Sequence, residues 1–329
     1  MTQAPQADDA PLVLAVPSKG RLQENATAFF GRAGLKFVKS RGERDYRGTL
    51  AGVEGAEVAF LSASEIVSQL ASGAAHLGIT GEDLVREQVA DADAAVEMLT
   101  PLGFGHANVV VAVPQAWIDV RTMADLDDVA STMRIRQGRK LRVATKYVNL
   151  TRRYFANHGL ADYRIVESLG ATEGAPAAGT AEIVVDITTT GATLSANALK
   201  ILDDGVMLAS EANLVASVRA PWGGRAKAAA NAILSRIAAE EEARSVREIR
   251  AKLDAPSDTL GDLAELFGAR LPFGATAAGA VVTIHCPDKA VFSLVDHLAR
   301  AGADDITVSA PAYVFRKANP LIERLQARI

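Results

Sequence analysis

Glu182-Ile-Val-Val-Asp186-Ile-Thr-Thr-Thr-Gly191-Ala-Thr-Leu-Ser-Ala-Asn197 changes character at its midpoint. Ile183–Val185 is an unbroken β-branched run, the pattern of a strand buried on both faces. It delivers a carboxylate, Asp186, at its C-terminal end. A hydroxyl-rich turn with one glycine follows, and a helix begins near Thr193. A strand that passes into a helix through a short polar turn is the unit from which α/β sheets are built. Backbone N–H groups at the helix start, with the hydroxyls of Thr188, Thr189, Thr190 and Thr193, form a phosphate cradle that needs no lysine. Gly191 lets the main chain approach an anion closely. A carboxylate beside such a cradle suits a sugar phosphate. The same residues also read as a capped helix whose threonines satisfy their own backbone, and the stretch alone does not separate the two readings.

Working outward, the same alternation recurs. Strands are predicted at Leu12–Val16, Glu57–Leu61, His76–Thr80, Asn108–Val113, Leu141–Ala144 and Tyr163–Val166. Helices are predicted at Leu22–Ala33 and Ser64–Ala71, the second carrying Ile66, Val67 and Leu70 at core spacing. This is an α/β chain with mostly parallel sheets, and there is enough of it for two lobes. Three more strand ends carry polar turns. Pro17-Ser-Lys19-Gly-Arg21-Leu22 places two cations at a helix start. Ala144-Thr-Lys146-Tyr147-Val-Asn149-Leu-Thr-Arg152-Arg153 offers further cations, with Asn149 as the expected helix cap. In Gly78-Ile-Thr-Gly81-Glu-Asp83-Leu84, Asp83 complements the helix dipole. In open α/β sheets ligands bind at this edge.

The chain has 329 residues, which at roughly 150 per domain suggests about two domains or a third. Lys and Arg number 35 against 39 Asp and Glu, so no basic excess exists to neutralise a nucleic-acid backbone. The single cysteine, Cys286, cannot form an internal disulfide. No apolar run approaches the roughly 18 residues of a membrane helix, and the first eleven residues lack the basic and apolar regions of a signal peptide, so a cytoplasmic protein is expected. Neither metal-ligand histidine spacing, nor Gly-x-Ser-x-Gly, nor a Rossmann Gly-x-Gly-x-x-Gly is present, which disfavours a resident metal, a nucleophilic serine and a dinucleotide cofactor.

Taken in order, Val16–Leu22, Gly78–Leu84, Ala144–Phe155 and Asp186–Leu194 resemble the ATP phosphoribosyltransferases that begin histidine biosynthesis, over Leu12 to about Pro221. The resemblance implies two lobes of the periplasmic-binding-protein type, each with a mostly parallel sheet, and a smaller α+β C-terminal domain. Residues 12–104 and 206–224 would form the first lobe, 105–205 the second and 225–329 the C-terminal domain, after a tail over 1–11. It implies that Asp186, Thr188, Thr189, Thr190, Gly191, Ala192 and Thr193 bind phosphoribosyl pyrophosphate, with Asp186 at the ribose hydroxyls and Glu173 a second acid. Lys19, Arg21, Lys146, Tyr147 and Arg152 would line the cleft for pyrophosphate and ATP. The implied reaction is displacement at the ribose C1 by N1 of the ATP adenine, with Mg²⁺ carried by the substrates. Two departures stand out: Asp186 is followed by Ile187 where the common phosphoribosyltransferase motif has two adjacent acids, and Glu82 occupies a position where many relatives are basic. A two-lobed small-anion binding protein and a transferase acting on another base are the alternatives.

Past Pro221 the pattern shifts. A long helix is expected over Arg225–Leu253, a second over Ser257–Phe267, and then a strand–helix–strand unit at Ala280–His285, Asp288–Ala301 and Asp305–Ser309. That unit resembles the end of the regulatory domain of long-form relatives, which binds histidine and assembles oligomers. The helices stand where those relatives begin with a strand. Self-association and histidine inhibition are what this resemblance implies.

Overall fold

The computed structural model describes residues 10–39, 46–253, 260–274, 276–277 and 279–329. The chain begins β1 (Leu12–Pro17), α1 (Gly20–Arg32), β2 (Lys36–Lys39), β3 (Arg47–Ala51), β4 (Ala56–Leu61), α2 (Ala63–Ser72), β5 (Leu77–Gly81), α3 (Glu82–Gln88), α4 (Ala92–Ala95) and β6 (Val96–Pro101). Helix α2 shows how local signals decide an element. Ser62 and Glu65 form a reciprocal capping box, Gly73 ends the helix at φ 81, and Ile66, Val67 and Leu70 are buried.

A second run follows: β7 (Asn108–Pro114), α5 (Met123–Gln137), β8 (Leu141–Thr145), α6 (Val148–Asn157), β9 (Tyr163–Glu167), β10 (Ile183–Thr188), α7 (Ala192–Ala196) and β11 (Leu199–Leu208). β12 (Ala212–Ser217) then returns to the first sheet, whose order is β2-β3-β4-β1-β5-β12-β6; the second sheet is β11-β7-β10-β8-β9. Val206 still pairs with Val110, so the return begins after Leu208. Parallel pairs, β4·β1·β5 in one sheet and β10·β8·β9 in the other, carry the strand ends of interest. Antiparallel strands are added where the chain crosses over, as β7 on β10 and β12 on β5. Successive residues of β7 feed opposite cores: Val109, Val111 and Val113 join one cluster, Val110 and Ala112 another. That explains the unbroken apolar run, since both faces of the strand are covered. Both sheets belong to one compact unit, which extends to Lys227, omits Phe30–Lys36 and includes Ala327–Ile329.

The second unit comprises Phe30–Lys36 and Ala228–Gln326. It contains most of α8 (Gly224–Ser245), then β13 (Val246–Lys252), α9 (Leu263–Phe267), β14 (Val281–Pro287), α10 (Val291–Arg300), β15 (Ile306–Ser309) and α11 (Pro320–Gln326). The expected helix over Arg225–Leu253 is therefore too long. Ile249, Ala251 and Leu253 alternate with Arg250 and Lys252, a period of two that outweighs the charge spacing. The i,i+4 charge pairs Glu240–Arg244 and Glu248–Lys252 favour a helix, but only the first lies in α8, at 4.0 Å, while Glu248 and Lys252 fall in β13. β13 is the central strand of an antiparallel sheet ordered β14-β13-β15, so the opening strand called for by the resemblance is present. The core of this unit gathers Ile249, Val282, Ile284, Cys286, Leu294 and Leu298. The helix start expected at Ser257 lies outside the described residues, and the described part is the short α9.

Candidate active site

Register across the parallel β10·β8 pair places the site. Val185 is the partner of Thr145, where β8 ends, so Asp186, still within β10 and paired with Val110 of β7, and Lys146, the first residue after β8, follow on adjacent strands. The Asp186 carboxyl is half-buried, and burial pushes its pKa above the ordinary carboxylate value. Its bond from the Ile187 N–H, at 2.8 Å, and the Lys146 ammonium pull the other way, while Glu173 adds to the upward push. Glu173 comes from a short 3₁₀ turn, Thr172–Gly174, entered through Ala171 at φ 49. Asp186, Glu173 and Lys146, distant in sequence, are thus electrostatic neighbours.

The threonine loop uses part of its own bonding capacity. Thr188 Oγ1 accepts the Gly191 N–H at 2.8 Å, Thr190 Oγ1 accepts the Ala192 N–H at 3.4 Å, and Thr189 donates its hydroxyl to the His106 carbonyl at 2.9 Å. Gly191 adopts φ 76, and a Cβ there would meet only Ile201 Cδ1, at 3.8 Å. The glycine is therefore required by the left-handed backbone and not by crowding from the protein. Around the loop lies a cavity of about 320 Å³ lined by Ala107, Ile187, Thr188, Thr189, Thr190, Ala192 and Thr193.

Tyr147, which the resemblance sets in the cleft, has a buried side chain. It is 1% exposed, and its hydroxyl donates to Asp83 Oδ2 at 2.7 Å. Burial and the negative charges of Asp83, Asp186 and Glu87 hold the phenol well above its ordinary pKa, so it is a hydrogen-bond donor, facing Asp83 and not open solvent. The Lys146 ammonium stands 5.1 Å over its ring. Lys19 and Arg21, at the start of α1, and Arg152, on α6, are exposed. Among the described residues no hydrogen bond or ion pair joins these three to the Asp186 group. Glu82 is paired with Arg86 at 2.9 Å.

Asn149 is not the helix cap. α6 starts at Val148 after Tyr147, and the N–H groups of Asn149 and Leu150 both go to the Glu87 carboxylate, each at 2.9 Å. Glu87 and Ser210 are the residues that sequence reasoning missed, and Asp83, read there as complementing the helix dipole, takes the Tyr147 and Ser210 hydroxyls instead. Asp83 had a signal, since it follows Gly81 in a polar turn; its bonds to Ser210, 127 positions away, had none. Among the described residues no group of three or more His, Cys, Asp or Glu could hold a metal ion, and no helix is long and apolar enough to cross a membrane.

A family model for ATP phosphoribosyltransferase matches residues 62–239. The ATP phosphoribosyltransferase of Afipia carboxidovorans is 59% identical over 318 residues, covering 96% of this chain and 98% of its own. That of Bradyrhizobium diazoefficiens is 58% identical over 319 residues, covering 97% and 98%. Among solved structures, the ATP phosphoribosyl transferase (HisG:HisZ) complex from Thermotoga maritima aligns with a TM-score of 0.53 at 24% identity, over 69% of this chain and 95% of that one, a likeness of fold.

Proposed function

Since the chain belongs to the ATP phosphoribosyltransferase family and transfers the phosphoribosyl group of phosphoribosyl pyrophosphate to N1 of ATP, the first step of histidine biosynthesis, we propose that the β10 and β8 strand ends carry the chemistry. The observation that supports this reading is the register of Val185 on Thr145, which puts Asp186 and Lys146 next in turn on adjacent parallel strands, with the threonine loop continuing from β10.

Displacement at an anomeric carbon develops positive charge on the ribose and negative charge on the departing pyrophosphate. A fixed carboxylate near the ring and a fixed ammonium near the leaving group stabilise both, and no protein nucleophile is needed. Asp186 takes the first role, with Glu173 strengthening the local negative field. Lys146 takes the second, with Lys19, Arg21 and Arg152 as further cations for the phosphates of either substrate. Thr188–Thr193 receives the 5-phosphate: the hydroxyls now satisfied within the loop exchange to the ligand, and the left-handed Gly191 keeps the main chain curved around it. Mg²⁺ would be carried by the substrate oxygens, a reading consistent with the described residues, among which no group of three or more His, Cys, Asp or Glu could hold it. It supplies charge neutralisation of the phosphates. Formation of phosphoribosyl-ATP from the two substrates, followed spectroscopically, tests the activity; Asp186→Asn and Lys146→Ala test the assignment of roles.

The second unit supports a regulatory reading. It holds a cavity of about 990 Å³, lined among others by Glu242, Glu248, Arg270, His285, Tyr313 and Arg316. His285 is 5% exposed, among the described residues neither ring nitrogen has a hydrogen-bond partner, and Glu248 Oε2 stands 3.5 Å from Nε2. Glu242 lies between Arg270 at 2.9 Å and Arg316 at 3.3 Å. Paired acids and guanidiniums around an unsatisfied imidazole suit a small zwitterion, and histidine as feedback inhibitor is the occupant we propose. Self-association into a homo-oligomer and a cytoplasmic location complete the proposal.

A further inference from the structure

The Gly78–Leu84 turn, conspicuous in the sequence, has no part in the reaction as derived above. Its Asp83 is in an unusual setting. The side chain is 6% exposed, yet among the described residues no cation pairs with it. Oδ1 accepts the Ser210 hydroxyl at 3.0 Å, Ser210 Oγ accepts the N–H of Asp83 at 3.0 Å, and Oδ2 accepts the Tyr147 hydroxyl at 2.7 Å. Gly81 makes the space. A Cβ there would lie 2.2 Å from Asp83 Oδ1, although φ −75 and ψ 143 suit any residue. Glycine is thus demanded at 81 by the folded-back carboxylate and not by the backbone. A buried carboxylate held by neutral hydroxyls is a poor source of stability compared with an apolar or amide replacement.

The rest of α3 grips the same neighbour. Glu87 accepts the N–H groups of Asn149 and Leu150 at 2.9 Å each, its carbonyl accepts Asn149 Nδ2 at 2.9 Å, and the Arg86 carbonyl accepts the Arg153 guanidinium. β5 lies in the first sheet and β8 in the second, so the Tyr147 bond runs from the end of one sheet to the turn after a strand of the other, and the remaining bonds hold the first turns of α6. Lys146 sits within the gripped turn, over the Tyr147 ring.

We propose that α3 is a clasp, and that Asp83, through its bond from Tyr147, is a positioning residue that fixes the β8–α6 turn and so sets where Lys146 stands relative to Asp186. This rests on the roles given above to Asp186 and Lys146. Asp83 touches no reacting atom in this scheme; its acceptor oxygen matters and its charge does not.

The test compares Tyr147→Phe, Asp83→Ala, Asp83→Asn and the Tyr147→Phe/Asp83→Ala double variant in the full chain, with kcat, both KM values and the thermal midpoint measured for each. Tyr147→Phe removes one oxygen and leaves the ring in place, so it retains the fold if any variant does. Expected are falls in kcat on the order of tenfold to a hundredfold for Tyr147→Phe and Asp83→Ala, with smaller changes in KM for ATP. The double variant falls no further than the worse single one, and Asp83→Asn, which still accepts the Tyr147 bond, keeps most of the rate. An Asp83→Asn variant as slow as Asp83→Ala overturns the clasp in favour of a direct need for charge. Full additivity in the double variant, unchanged kcat in both singles, or losses that merely follow the unfolded fraction overturn it as well. Wild-type protein that makes no phosphoribosyl-ATP would instead remove the underlying functional reading.

Discussion

Asp186 follows Val185, the register partner of Thr145, and Lys146 follows Thr145, so that the Lys146 charge acts on the Asp186 carboxyl and favours its ionised form. Two opposite charges fixed by one parallel strand pair can face the two halves of a bond that separates charge as it breaks. Asp186→Asn preserves shape and removes the negative charge. Its kcat is expected to fall by about 10²–10³, equivalent to roughly 2.7–4 kcal/mol of transition-state stabilisation, with a smaller change in KM for phosphoribosyl pyrophosphate. Steady-state rates over a range of both substrates check this; a change confined to KM would reassign Asp186 to ground-state binding.

Gly191 at φ 76 makes a different prediction. Gly191→Val places a β-branched side chain in left-handed backbone and should raise KM for phosphoribosyl pyrophosphate more than it lowers kcat. Gly191→Asn, which tolerates that conformation, should retain more of the affinity. Equal effects of the two variants would point to the side chain filling the anion space and not to the backbone.

His76 predicts how stability depends on pH. It is 3% exposed, its Nδ1 accepts the Val13 N–H at 3.1 Å, and its Nε2 faces the Pro221 carbonyl at 3.1 Å. The proton therefore resides on Nε2, and the ring packs edge-on against Trp222 with centroids 5.0 Å apart. Burial lowers its pKa, so the folded protein binds its second proton less readily than the unfolded chain. Stability from this group is complete above the unfolded value of about 6.5 and declines as pH falls below it towards the lower folded value. Thermal midpoints between pH 8 and 5 should drop on the acid side, and His76→Gln should flatten that limb while lowering the midpoint at neutral pH.

Arg270 separates regulation from architecture. Millimolar histidine is expected to slow the wild-type enzyme. Arg270→Ala, which removes a guanidinium from the cavity and from Glu242, should lose that inhibition and keep its kcat. Initial rates with and without histidine decide it, with sedimentation velocity run in parallel to register any change of assembly. Inhibition undiminished in Arg270→Ala would place the effector elsewhere.

Local pattern alone determined the alternation of strands and helices, the strand ends bearing Asp186 and Lys146, and the glycine at 191. Each of these is expressed within a few residues, by an apolar run on a strand covered on both faces, a cap, or a left-handed turn. The resemblance extended that reading to a family because whole turns recur in order. Where two local signals competed, the choice was not local: Arg225–Leu253 carries helical charge spacing along most of its length, yet β13 forms because β14 and β15 flank Ile249 and Ala251 and supply the ladder. Tertiary structure alone decided what Tyr147 and Asn149 do. By sequence Tyr147 looks available to a ligand and Asn149 looks like a helix cap, until α3 brings the Asp83 and Glu87 carboxylates to them from more than 60 residues away. A hydrogen bond forms where the partner stands, and that position belongs to the packing of sheets and helices, which no window of sequence contains.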